Sequence, residues 1–227
     1  MEEKYEGREI QVQSKFLKWW DNYWYHYKWH TILIGFFALV LIVCLVQCSS
    51  AEDPDITVCF AGNQVFSEAE HTGLKTVFED VCPRDIGNGA PLAAFKTLSI
   101  FSEEQLISHF TFYYEEEDKW ELDRDGMALY KATNLENYKN MQTYVMTGDC
   151  AVFFVSSYVY SEMFHDLRIE GATKLSDTHF YKTFDAAKAM PEDTMVVLMR
   201  PMMGKYANDK QFAQAKAYYQ SVVEGTK

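Results

Sequence analysis

Ala151-Val-Phe-Phe-Val155 is an unbroken apolar run of β-branched and aromatic residues, with Cys150 before it and Ser156 after it. A run without polar alternation fits a strand buried on both faces rather than one with a wet side. Met195-Val-Val-Leu-Met199 repeats the pattern before Arg200 and Pro201, and Ile56-Thr-Val-Cys-Phe-Ala61 repeats it before Gly62-Asn63. A further strand is expected near Ala94 to Phe101. Helical segments separate these runs, so the expected fold is α/β: one three-layer domain with a mainly parallel sheet built from strand-helix-strand units.

Helix starts are legible between the strands. Ser67-Glu-Ala-Glu70 and Ser102-Glu-Glu-Gln105 match the capping box, in which hydroxyl and carboxyl or amide groups satisfy otherwise unpaired N–H groups. The first helix should run to about Cys82, with Leu74, Phe78 and Val81 inward. Thr133-Asn-Leu-Glu136 reads as a third box, opening a helix that stops at Gly148. Residues 157–166 suit a short helix, and Asn208–Glu224 a final one with Phe212, Ala215, Tyr218 and Val222 inward. The stretch from Cys82 to Pro91 is turn chemistry, and region 167–192 shows no clear pattern.

Lys119 to Tyr130 (KWELDRDGMALY) alternates around Asp125-Gly126 and predicts a β-hairpin. Glu121, Asp123, Asp125 and Gly126 imitate part of a calcium loop. The imitation fails where it counts, because position one is Glu and position twelve would be Ala132. No metal site is expected there.

Upstream of the domain, Trp29 to Cys48 (WHTILIGFFALVLIVCLVQC) contains no acid, lysine or arginine. At ~1.5 Å per residue such a helix covers the ~30 Å hydrocarbon core of a bilayer. Residues 29–48 are therefore read as a single transmembrane helix. Residues 15–28 form an aromatic juxtamembrane helix in which Phe16, Trp19, Trp20, Tyr23, Trp24 and Tyr27 make one stripe suited to the headgroup layer. A partner membrane protein packing on that stripe is the alternative. Lys15, Lys18 and Lys28 precede the span, and the next base is Lys75, so residues 1–14 form a cytoplasmic tail and the C-terminal part lies outside. Residues 49–55 are the linker and 56–227 the extracytoplasmic domain. The start is too long and too acidic for a cleaved signal peptide. Neither Cys44, after Val43, nor Cys48, after Gln47, has the small residue expected before a lipidated cysteine.

The net charge of −12 falls wholly on the domain, because acids and bases balance in residues 1–28. Nucleic acid is excluded as a partner by that charge, while cationic ligands are allowed. The five cysteines show no CxxC pair and no zinc spacing. For Cys59, Cys82 and Cys150, one bridge or three free thiols both fit.

Met141-Gln-Thr-Tyr-Val-Met-Thr-Gly-Asp-Cys-Ala-Val-Phe-Phe-Val155, followed by Ser156-Ser-Tyr158 and a short helix, resembles the place in type II extracellular solute-binding proteins where a strand rises from a Gly-Asp turn to the ligand cleft. Lys18 to His30 (KWWDNYWYHYKWH) ahead of the span is similar to small membrane-anchored proteins of clostridial Gram-positive bacteria that carry one such domain. The resemblance implies one lobe of a type II periplasmic binding fold.

Open parallel sheets bind outside the carboxyl ends of their strands, which nominates Gly62, Asn63 and Gln64 after the first strand and Ser156, Ser157 and Tyr158 after the third. Their amides, hydroxyls and one ring would orient a small polar ligand, although turns and caps use the same residue types. No GxSxG, HExxH, GxxxxGK or dinucleotide glycine pattern occurs, and His71, His109, His165 and His179 lack ligand spacing. The expected function is non-catalytic binding with no cofactor, with a scaffold subunit of a membrane complex as the alternative. Protease added to intact cells is expected to remove residues after about 50 and leave an epitope on the first 14 protected; a protected C-terminus would reverse the topology.

Overall fold

The computed structural model describes residues 15–49, 54–83, 86, 91–115, 118–165 and 167–225. The predicted tail 1–14, most of the linker and most of the turn between Cys82 and Pro91 lie outside them. The chain divides into two units, Met1–Glu52 and Asp53–Lys227.

The first unit contains one helix, α1 (Lys15–Ser49). Its apolar stretch, Asn22–Val46, is long enough to cross a membrane and none of it is buried within the chain. The aromatic block and the span form a single helix, not two with a bend near residue 28. Neither Pro nor a Gly pair interrupts the sequence there, so nothing breaks the hydrogen-bond ladder. Rings four residues apart pack on one another: Trp19 with Tyr23 at 5.7 Å, Trp20 with Trp24 at 6.2 Å and Tyr23 with Tyr27 at 5.5 Å between centroids.

The second unit is α/β. Its main sheet comprises β1 (Ile56–Gly62), β2 (Ala93–Ser99), β5 (Val152–Val155), β6 (Ile169–Lys174) and β7 (Met195–Met199) in the order β2-β1-β5-β7-β6. Strand β1 is parallel to both neighbours, β2 and β5. Side chains alternate between two cores. Val58, Phe60, Val152, Phe154, Val196 and Leu198 face α2 (Glu68–Asp80), α6 (His179–Thr183) and α7 (Asp209–Glu224). Cys59, Ala61, Phe153, Val155, Val197 and Met199 face α4 (Arg124–Thr147) and α5 (Ser157–Met163). Helices thus cover both faces, which is why these strands carry no polar alternation.

Three sequence expectations need correction, and one unassigned region resolves into regular elements. Strand β7 is antiparallel to β5 and β6, not parallel. A run buried on both faces reports burial and is silent on direction. Here residues 175–194 leave and return at one end of the sheet, closed by Leu175 N–H donating to Thr194 O at 2.7 Å. The unassigned region 167–192 holds β6, α6 and 3-10 turns at Leu175–Asp177 and Asp185–Ala189.

Second, the hairpin is β3 (Thr111–Tyr114) against β4 (Lys119–Leu122), and Asp125-Gly126 is not its turn. Asp123 instead caps α4, its carboxylate accepting from Gly126 N–H at 3.0 Å. Third, Thr133-Asn-Leu-Glu136 lies inside α4 rather than opening it. Asn134 there brackets Phe101, accepting from its N–H and donating to its C=O, both at 2.9 Å. Asn137 donates to Ser99 O. These amides staple α4 to the carboxyl end of β2 and to the entrance of α3 (Glu103–His109).

Two glycines lock the return from β7. Gly148 ends α4 at φ 66°, and Gly204 sits at φ 85°. A Cβ on Gly204 would overlap the Thr147 carbonyl oxygen, and one on Gly148 would overlap that of Met203. The locked loop carries Tyr206 into the core, where its hydroxyl accepts from Thr57 N–H at 2.9 Å. Gly204→Ala is expected to cost about 2 kcal/mol or more, from the left-handed backbone and the overlap. Gly73→Ala in α2, where the new Cβ meets only Ala186 at 3.7 Å, is expected to be neutral or to add up to about 1 kcal/mol. Urea unfolding followed by circular dichroism measures both.

Candidate functional site

Strand β1 sends its chain to β2 on one side through α2, and β2 sends it back past β1 to β5 through α4 on the opposite face. The order of strands therefore reverses between β1 and β5, the position where open α/β sheets leave a crevice. The strand ends meet closely there. Ser156 N–H donates to Ala61 O at 2.9 Å, Ile100 N–H donates to Gly62 O at 2.8 Å, and a Cβ on Gly62 would lie 3.1 Å from Ser156 Cβ.

Two open depressions flank this junction. One, of about 870 Å³, lies between Ser102, Glu103, Glu104 and Ile107 after β2 and Ser157, Tyr158 and Ser161 after β5. The other, of about 440 Å³, is lined by Asn63, Phe101, Gln105, Ser108 and His109. Of the six residues nominated from the sequence, Ser157 and Tyr158 line the first and Asn63 the second. Gly62 and Ser156 are buried and structural, and Ser156 Oγ caps α5 by accepting from Val159 N–H at 3.3 Å. Gln64 lines neither.

Sequence reasoning missed the β2 side, Ser102 to Ile107. The box at Ser102 is a visible signal, but a capping box marks a helix start and carries no mark of a crevice wall. Applying the strand-end rule to β2 as well would have added it.

The chemistry of the larger crevice is acidic and hydroxylated. Ser157 Oγ donates to Asp193 at 2.9 Å, and Lys131 Nζ bonds Glu103 at 2.9 Å. That ammonium holds the Glu103 carboxyl below the usual carboxylate range. Glu104 has no such cation among the described residues. Burial, and then the neighbouring Tyr158, raise the Tyr138 phenol, and the Tyr158 ring lines one wall. These groups can accept hydrogen bonds from a polar ligand, neutralise a cation and present an aromatic face.

Further perturbed groups lie in the core. Cys59, Cys82 and Cys150 are buried free thiols. The hydrogen bond with Cys150, and then burial, push the Cys59 thiol well up. Burial pushes Cys82 to about 12 and Tyr206 to about 12, and raises Tyr218 further. No group of three or more His, Cys, Asp or Glu with metal-holding geometry occurs among the described residues. No family model, curated protein or solved structure matches the chain.

Cys82 and Tyr206 generate an alkaline prediction. Both stay protonated in the fold up to about 12, while in the unfolded chain they ionise near their ordinary values of 9.0 and 10.0. Above those values the unfolded state binds fewer protons, so stability falls with pH. The contribution is intact below pH 9 and declines at up to about 1.4 kcal/mol per pH unit per group until the folded pKa is passed. Urea melts across this range are expected to show the decline, and Cys82→Ala is expected to lessen the part that begins near pH 9, to which Cys59 also contributes.

Proposed function

We propose that this chain is a membrane-anchored, extracytoplasmic binding module that holds a small polar ligand, neutral or cationic, at the carboxyl edge of β1, β2 and β5 without transforming it. The supporting observation is the crevice at the strand-order reversal, where Glu104, Tyr158 and the Ser157–Asp193 pair converge from three separate chain segments. We read the α/β domain as a single lobe in the type II solute-binding manner. On that reading the ligand would sit on an open edge and be presented outward. The helix α1 supplies the anchor, and the lysines on its N-terminal side orient the domain outward. The exposed aromatic stripe from Trp19 to Tyr27 also favours a second role, assembly with another membrane protein.

The test is a thermal-shift screen of the full chain in detergent against sugars, amino acids, polyamines and short peptides. A specific ligand at about 100 times its Kd stabilises by about 2.7 kcal/mol, a rise of roughly 5–10 °C for a domain of this size. Glu104→Gln, at the crevice surface, is expected to abolish the rise and leave the unliganded midpoint in place. Silence across the panel, or a rise that Glu104→Gln leaves intact, would remove the crevice as the site.

A further inference from the structure

The β3–β4 ribbon exposes what a soluble domain ordinarily hides. Phe112, Tyr113, Tyr114 and Trp120 remain 47%, 45%, 49% and 71% exposed on a ribbon whose two strands have four residues each. The ribbon forms a sheet of its own, so each strand has a backbone edge with no strand partner. An isolated two-stranded hairpin is marginal in water, because one layer buries too little.

Its root is firm. Asp123 N–H closes it by donating to Phe110 O at 2.9 Å, and Phe110 packs on Tyr130 and His109 with centroids 5.6 and 5.0 Å apart. On the ribbon itself Tyr113 and Trp120 pair across the strands at 5.2 Å, and Tyr113 Oη donates to Asp118 at 2.6 Å. The rings are therefore held in place and left uncovered.

Charge identifies what would cover them. Between positions 115 and 125 seven acids stand against two bases, so this ribbon and its flanks carry −5 of the −12 total. A second copy of the same ribbon would meet like charge, as would an anionic lipid surface. A basic chain would meet opposite charge, aromatic faces for its cations and free strand edges for its backbone.

We propose that the β3–β4 ribbon is a docking arm for an extended, basic segment of a partner polypeptide, which adds along a free strand edge with lysine or arginine side chains over Tyr113 and Trp120. The arm is separate from the crevice of the proposed function and does not depend on it. Trp and Tyr are the residue types that dominate interface energetics.

The experiment uses the full chain in zwitterionic detergent and a fluorescent peptide of alternating Lys and Val, with an alternating Glu and Val peptide as control. Saturable binding of the basic peptide is expected at low salt, falling several-fold as ionic strength rises to about 0.3 M. Trp120→Ala is expected to weaken it about tenfold or more. Glu115→Gln with Glu121→Gln, which leaves the rings in place, is expected to flatten the salt dependence. Met202→Ser, exposed on the loop after β7, is expected to leave peptide binding unchanged, and binding is read without the crevice's ligands, so failure here is distinguishable from failure of the crevice. Each variant is checked for an unchanged thermal midpoint. Equal binding of the acidic peptide, indifference to Trp120→Ala, absence of binding at low salt, or Trp120-dependent binding of a neutral oligosaccharide in place of the peptide would each overturn the proposal.

Discussion

The structure of the domain depends on satisfying one buried backbone. All seven residues of β1 are buried, so each of its N–H and C=O groups needs a partner inside the protein or costs on the order of 1–3 kcal/mol. Strand β2 pairs along its whole length, but β5 pairs only from Val58 onward. At Thr57 the ladder is completed by a side chain, the Tyr206 hydroxyl. Tyr206 reaches that position because Gly204 and Gly148 let two loop backbones approach closer than any Cβ permits. The end of α4, the exit from β7 and the start of β1 are thereby tied to a single hydrogen bond. Burial keeps the phenol neutral up to about 12, so this contact persists across ordinary pH.

The same burial explains what could be read in the sequence. Ile56–Ala61, Ala151–Val155 and Met195–Met199 announced themselves because both faces are covered, and the N-caps at Ser67 and Ser102 were legible because their bonds are local. Direction was not legible for β7, since an apolar run is the same read either way. Strand β6 (IEGATK) was missed because it lies at a sheet edge, half exposed, and its one close contact needs a glycine: a Cβ on Gly171 would meet the Tyr219 ring at 2.8 Å. The hairpin was misplaced for a related reason. Thr111–Tyr114 shows its rings to solvent, so no apolar and polar alternation marked it, whereas Asp125-Gly126 imitated a turn while serving as the first turn of a capped helix.

For the candidate site, three of the six nominated residues line the two depressions and three do not. Gly62 and Ser156 occupy the junction itself, where close approach and helix capping use them up. Ser157 and Tyr158, the next two residues along, reach the crevice. The opposite wall comes from α3, whose position depends on Asn134 and Asn137 of α4 bracketing the end of β2. Both asparagines act over more than 30 residues of sequence, and in the sequence Asn134 looks like part of a local cap. Local motifs report local bonds, and a long-range use of the same residue leaves no separate mark.

Two of the exposed apolar surfaces among the described residues differ in kind, and the difference bears on what each can meet. From Ile32 to Val46 the uncovered side chains of α1 are aliphatic or phenylalanine, with no charge among them, which suits hydrocarbon. On the ribbon the uncovered side chains are Phe, Tyr and Trp set among carboxylates. Carboxylates are costly in hydrocarbon and repelled by anionic headgroups, so lipid is a poor match for this surface even though its rings would otherwise suit a membrane interface. What lowers the free energy of such a surface is a partner that covers the rings and brings positive charge at once. A cationic polypeptide strand does both, and the free edges of β3 and β4 give its backbone somewhere to bond.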